Sequence, residues 1–211
     1  MNILDIFIQF PILLFSIIIH ECSHGYMAEH FGDDTARAMG RLTLNPLAHI
    51  DPVGTLLLPI ACVLSHAPVF GWAKPVPVNP SLLYNPRKAM LFVALSGPAS
   101  NLVLALLSGL LLGIGSRLVP PGQTQNLVFN IGSFAILINL YLFVFNLLPI
   151  IPLDGSKILS SILPVDLAIQ FERTSSYGFI IIMALIMTGV LGKIMTPIVV
   201  TMFKVIVSMY L

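Results

Sequence analysis

The chain carries ionisable residues inside apolar segments that are long enough to span a membrane, and this conflict limits its fold more than any other feature. Long apolar stretches cover about 3–31, 89–115, 127–151, 176–192 and 194–211, with a shorter one at about 53–66. Crossing the hydrocarbon core takes about 20 helical residues, with a range of roughly 17–25. The first three stretches meet that length. The last two are divided at Gly192-Lys193. All are continuous rather than alternating, which selects helices over barrel strands of about 10 residues. Only 9% of the 211 residues are charged and 57% are hydrophobic. A soluble domain has about 25% charged residues, so this chain lacks the polar groups to cover a water-facing surface.

The sequence therefore predicts an all-α membrane protein. The expected bundle is polytopic, with three core transmembrane helices and about two C-terminal ones. A short re-entrant or extended element would sit between the first two core helices. We read residues 1–211 as one membrane domain, with its core over 1–155 and C-terminal helices over 156–211. Its first partner is the lipid bilayer. The net charge of +1 gives no reason to expect nucleic acid. Cys22 and Cys62 form neither a disulfide framework nor a CxxC pair. The first apolar stretch lacks a basic start and exceeds a signal-peptide core, so it is read as retained.

Within that stretch stands His20-Glu21-Cys22-Ser23-His24. On a helix this HExxH spacing puts two imidazoles one turn apart on one face, where both can bind one Zn²⁺. Glu21 can then serve as general base toward a water activated by the metal. Ionisable groups at membrane depth are costly and usually functional. Together these features point to peptide hydrolysis inside a membrane.

Such a site needs a third protein ligand. The best candidate is Asp154, which follows Pro149 and Pro152 and precedes Gly155. The prolines break the preceding helix, and Gly155 would allow a sharp turn. Its rivals are Glu29, Asp51 and Glu172. Asp51, before Pro52, suits a turn or cap. His30, His49 and His66 read as interfacial or loop histidines. A third cluster, Gly97-Pro98-Ala99-Ser100-Asn101, buries an amide at membrane depth. Asn101 and Asn146 are candidates for contacting a substrate or its oxyanion, or for hydrogen bonding between helices.

HExxH in the first long helix, GPxxN in the next and N-x-x-P-x-x-P-L-D-G after the third resemble, in that order, the site-2 proteases. These are intramembrane zinc metalloproteases. The resemblance implies Zn²⁺ held by His20, His24 and Asp154, with Glu21 as catalytic base. It also implies cleavage of a transmembrane segment of a membrane-anchored protein substrate. The chain looks like a compact form without PDZ or CBS modules. A metal or proton transporter and an inactive helix-binding relative are the alternative readings. Oligomeric state is not legible.

Helix directions test the zinc idea independently. His24 and Asp154 both lie near the C-terminal ends of their helices. They can meet only if those helices run the same way, with the 89–115 helix crossing between them. The 53–66 run must then fail to span. Asn101 falls on the same side. The Pro-rich run Gly71–Pro80 is expected as an edge strand or hairpin, able to pair with an unwound substrate. Arg37, Arg41, Lys74, Arg87, Lys88, Lys157 and Arg173 lie on the site side, with Arg117 and Lys193 opposite. This bias puts the active site toward the cytoplasm of a multi-pass cell-membrane protein. The two distal segments would return the C-terminus to that side.

Overall fold

The computed structural model describes residues 3–64 and 71–210, so His66 lies outside the described residues. Its core is three long helices, α1 (Ile3–His30), α4 (Pro86–Leu118) and α5 (Gln123–Asn146). Among the described residues the regular elements are helical, with no strand. The long helices α4, α5 and α9 (Val190–Tyr210) are each long and apolar enough to cross a membrane. At 28 residues, α1 also has the length. Short helices link them: α2 (Thr35–Ala38), α3 (Leu58–Leu64), α6 (Asp154–Ile162), α7 (Val165–Glu172) and α8 (Ser175–Met187).

The three core helices pack on one another, and α9 lies against α4 and α5. Ile136 and Leu140 on α5, Ala105 and Leu112 on α4, and Val199 and Ile206 on α9 form the main apolar cluster. Gly109 and Gly113 let α9 approach closely, as the glycine spacing suggests. A methyl on Gly113 would come within 2.6 Å of the Tyr210 carbonyl.

Over its described residues, 53–64, the short apolar run does not span. A π-helical stretch, Pro52–Leu57, passes into the seven-residue α3. Trp72 N–H donates to Gly54 O at 3.1 Å, and Thr55 Oγ1 donates to Trp72 O at 2.9 Å. The excursion thus leaves and returns at one place, as the zinc argument requires. Asp51 caps its start by accepting from the N–H groups of Val53 and Gly54.

Several expectations are corrected. Residues 71–79 are extended but form no strand ladder. Prolines at 75, 77 and 80 remove the donors a ladder would need. His49 ends the short turn Pro46–His49, in keeping with the loop reading, and is fully buried, with Nε2 at 2.9 Å from Thr43 O. The break between the distal helices falls at Gly189 (φ +71°), not at Gly192-Lys193.

The C-terminus also ends on the side opposite the site. Arg117, at the far end of α4, donates to Tyr210 O at 3.3 Å. At its other end α9 borders Tyr141, Leu142 and Phe145 near the end of α5. Lys193 therefore lies at the site end. The physical reason is length: α8 has 13 residues, or about 20 Å at 1.5 Å per residue, too short for a crossing.

Candidate metal centre

His20 and His24 lie within the last three turns of α1 and are both buried. Asp154, also buried, is the first residue of α6. Asp154 Oδ2 lies 3.1 Å from His20 Nε2 and 3.2 Å from His24 Nε2, and the two Nε2 atoms are 3.1 Å apart. Glu29, Asp51 and Glu172 are elsewhere. Glu29 pairs with Arg37, with Oε2 accepting from Nη2 at 2.8 Å.

The protonation of these donors follows from their outer partners. His24 Nδ1 faces a backbone carbonyl, Val93 O, at 2.7 Å. It must carry the proton, which leaves a lone pair on Nε2. His20 Nδ1 faces Asn101 Oδ1 at 2.6 Å, with the same consequence. Two lone pairs and a carboxylate oxygen thus converge with no proton among them. A divalent cation is what such a set needs. Tetrahedral Zn²⁺ with bonds of about 2.0–2.1 Å places its ligands about 3.3 Å apart. The observed triangle is close to that size.

The backbone explains why these residues meet. Gly97 leaves the space the imidazoles occupy. A methyl there would overlap the His24 ring and reach 2.7 Å from His20 Nε2. Pro98 removes the N–H that Ala94 O would otherwise receive and loosens α4 at that turn. In the same turn Val93 O is available to His24. Neither role of the Gly-Pro pair was read from the sequence.

Asp154 is delivered by a break longer than expected. α5 ends at Asn146, not near 151. Residues 147–153 form a compact turn holding Pro149 and Pro152, with a cis bond between Ile151 and Pro152. Gly155 is helical rather than a turn residue. A methyl there would overlap the carbonyls of Leu147 and Leu148, so the glycine lets α6 fold back onto the end of α5. Asp154 Oδ1 faces Lys157 Nζ at 3.7 Å, one turn along α6.

Glu21 borders a cavity of about 150 Å³ together with His20, His24, Asp154, Asn146 and Val76. A single water needs on the order of 15 Å³. Glu21 Oε2 accepts from Val76 N–H at 2.7 Å. Val76 belongs to the extended strap 71–79, which is tied down along its length. Lys74 N–H donates to His49 O at 2.9 Å. Arg41 Nη2 donates to Lys74 O at 2.8 Å, and Asn79 N–H donates to Asp33 Oδ2 at 2.6 Å. Burial opposes ionisation of Asp33, yet bonds from the Thr35 hydroxyl and from the Asn79 and Thr35 N–H groups outweigh it. They hold its carboxyl below the usual range. The sequence reading did not single out Asp33, and it placed Arg41 only as a site-side charge. Both look like surface residues in one dimension.

The two asparagines are placed differently. Asn101 is fully buried behind His20. Its Nδ2 donates to Ser16 O at 3.3 Å and to Asn139 Oδ1 at 3.0 Å. Asn146 lines the cavity, and its Nδ2 donates to Leu142 O at 3.0 Å.

A helical membrane bundle with two histidines, a carboxylate and an adjacent glutamate around a small cavity large enough for water defines a membrane-embedded zinc metalloprotease. The chain belongs to peptidase family M50, the site-2 protease family its motifs resemble; the family's model matches residues 9–189. Among relatives, YwhC of Bacillus subtilis (strain 168), named as a candidate zinc metalloprotease, is 38% identical over 208 residues. That match covers 92% of this chain and 90% of the relative. Rip2 of Mycolicibacterium smegmatis, named in the same way, is 33% identical over 181 residues, covering 85% of this chain and 66% of the relative. Rip2 of Mycobacterium tuberculosis (strain H37Rv) is 34% identical over 143 residues, covering 67% and 52%. No solved structure matches the chain.

Proposed function

We propose that this zinc metalloprotease cuts a membrane-anchored protein within its transmembrane segment. The observation that carries the reading is the convergence of His20 Nε2, His24 Nε2 and Asp154 Oδ2 beside Glu21, between the 28-residue α1 and the turn that follows α5. We assign the three as zinc ligands and Glu21 as general base. Bound there, Zn²⁺ supplies a Lewis acid that acidifies water and polarises a carbonyl. Glu21 takes the proton from the attacking water and returns it to the leaving amine. The Val76 N–H fixes one Glu21 oxygen. Among the described residues Oε1 has no hydrogen-bond partner and is available to the water. Asn101 holds His20 by its Nδ1 proton. Asn146, whose amide borders the cavity, is the candidate for the oxyanion or the substrate backbone.

A substrate helix must unwind to expose its peptide bond. Among the described residues, Val78 N–H and the carbonyls of Val76 and Val78 carry no hydrogen bond. They are the groups of the strap available for pairing with an extended substrate. Crosslinks from Val78 to a trapped substrate are expected; contacts confined to α9 would oppose this. With Lys193 moved to the site end, the basic excess there supports a cytoplasmic active site.

The test is cleavage of a single-span reporter by the purified protein in proteoliposomes, with chelator and Glu21→Gln as controls. Cleavage inside the span, lost in both controls, is expected. Cleavage that survives Glu21→Gln would sink the mechanism.

A further inference from the structure

Behind His20, on the side away from the cavity, runs a buried hydrogen-bond chain whose outer members belong to none of the motifs. Ser16 on α1 and Asn139 on α5 are each 2% exposed, and Asn101 between them is fully buried. We propose that Asn139 and Ser16 are positioning residues that set the tautomer of His20 through Asn101. They thereby keep the Nε2 lone pair turned toward the metal. The inference rests on the assignment of His20 as a zinc ligand.

The argument follows the protons. Ser16 Oγ donates to Ile12 O in its own helix at 2.8 Å. Its lone pairs are left to accept from Asn139 Nδ2 at 3.0 Å. The second Asn139 N–H goes to Ala135 O at 2.9 Å. Both neighbours of that nitrogen are therefore acceptors, so the amide has only one orientation. Asn139 Oδ1 is then the atom that meets Asn101 Nδ2 at 3.0 Å. Asn101 gives its other N–H to Ser16 O at 3.3 Å. Its Oδ1 is left facing His20 Nδ1 at 2.6 Å, where only an N–H fits. Each orientation forces the next. The chain ends on the carbonyls of Ile12, Ser16 and Ala135, which cannot change roles.

The alternative shows why this matters. If the Asn101 amide flipped, its NH₂ would face His20 Nδ1 and move the imidazole proton to Nε2. That N–H would then donate to Asp154 Oδ2, 3.1 Å away. The metal-free site would satisfy itself and compete with Zn²⁺. Ser16 O alone resists the flip through the longest bond of the set. Asn139 supplies the second and shorter restraint. Ser16, Asn101 and Asn139 come one from each core helix, so the relay joins α1, α4 and α5 by hydrogen bonds.

Asn139→Leu keeps side-chain volume and removes the restraint. Two readouts are used: zinc affinity by competition with a metal chelator, and nitrogen NMR of ¹⁵N-histidine-labelled, metal-free protein. We expect zinc affinity about 10-fold weaker, at the low end of the roughly 10–100-fold range for outer partners of ligating histidines. We also expect His20 to change from a single Nδ1–H tautomer to a mixture. Ser16→Ala should act in the same direction with a smaller change, and it carries the test if Asn139→Leu does not fold. Leu140→Ala, one residue on and in the apolar cluster, should lower thermal stability and move neither readout. An unchanged tautomer and affinity in Asn139→Leu would overturn the proposal, as would an equal loss in Leu140→Ala. If the wild type bound no zinc, the ligand assignment would fail, while the His20 tautomer pattern would still judge the relay.

Discussion

The proposed metal ligands and the proposed general base are held by different kinds of structure. His20 and His24 stand on a helix of the packed core, and their outer nitrogens are fixed by Asn101 and Val93 O on α4. Glu21 stands on the same helix, but its carboxylate is held from outside by Val76 of the strap. The strap has no ladder and no helix of its own. It stays in place through Arg41, Asp33 and the His49 carbonyl. Metal affinity should therefore follow the hydrogen bonds and the close approach that α4 offers the histidines, while the catalytic rate at constant metal should follow the strap. The two properties become separable by mutation.

The largest separation is expected from Glu21→Gln. Cleavage should fall by roughly 10²–10⁴-fold, the range for losing a general base, with one zinc per chain retained by metal analysis. A variant that also lost its zinc would erase the distinction between the two regions. The converse comes from Gly97→Val. Its side chain would fill the space of the two imidazoles, so zinc content and activity should vanish together. An active Gly97→Val would show that the histidines do not need the close approach of α4.

Smaller effects sharpen the strap half of the comparison. Arg41→Met removes the bond to Lys74 O while keeping an unbranched apolar stem. A fall in kcat on the order of 10-fold is expected, with zinc affinity unchanged. Equal losses in both would place Arg41 in the core's part of the work. The smallest effect concerns pH. Asp33 has a lowered pKa in the folded protein, so its ionised form is favoured more in the folded than in the unfolded chain. The resulting stability is complete above about pH 4, near the ordinary carboxylate value. It is lost as pH falls through the lowered folded value. Proteolysis of the strap should be flat from pH 5 to 8 and increase only in stronger acid. Asp33→Asn should increase it across that range and leave the acid limit unchanged. A step near neutrality in the wild type would contradict this.

Much of the site was legible because its parts are local. HExxH encodes a one-turn spacing, and Pro149 and Pro152 announce a break before Asp154 whatever surrounds them. The depth argument also held, since matching helix directions needs only a count of crossings: Gly54 and Trp72 meet, and the described residues 53–64 do not cross. The readings that failed required knowledge of partners. Helix 127–151 stops at Asn146 because the next residues fold under α6. The C-terminus lies opposite the site because α8 is too short to cross, and the break that shortens it sits at Gly189. Asn139 gave no signal, being one amide in an apolar helix.

The sequence by itself determined a membrane helical bundle, its ordered motifs and the residue types that can hold and use zinc. These follow from hydropathy and helical period, properties of the chain read a few residues at a time. Only the tertiary structure decided which nitrogen of each histidine faces Asp154, why Gly97 must lack a side chain, and what holds Glu21. Those depend on hydrogen bonds and contacts between residues dozens of positions apart, whose geometry exists only once the helices have packed.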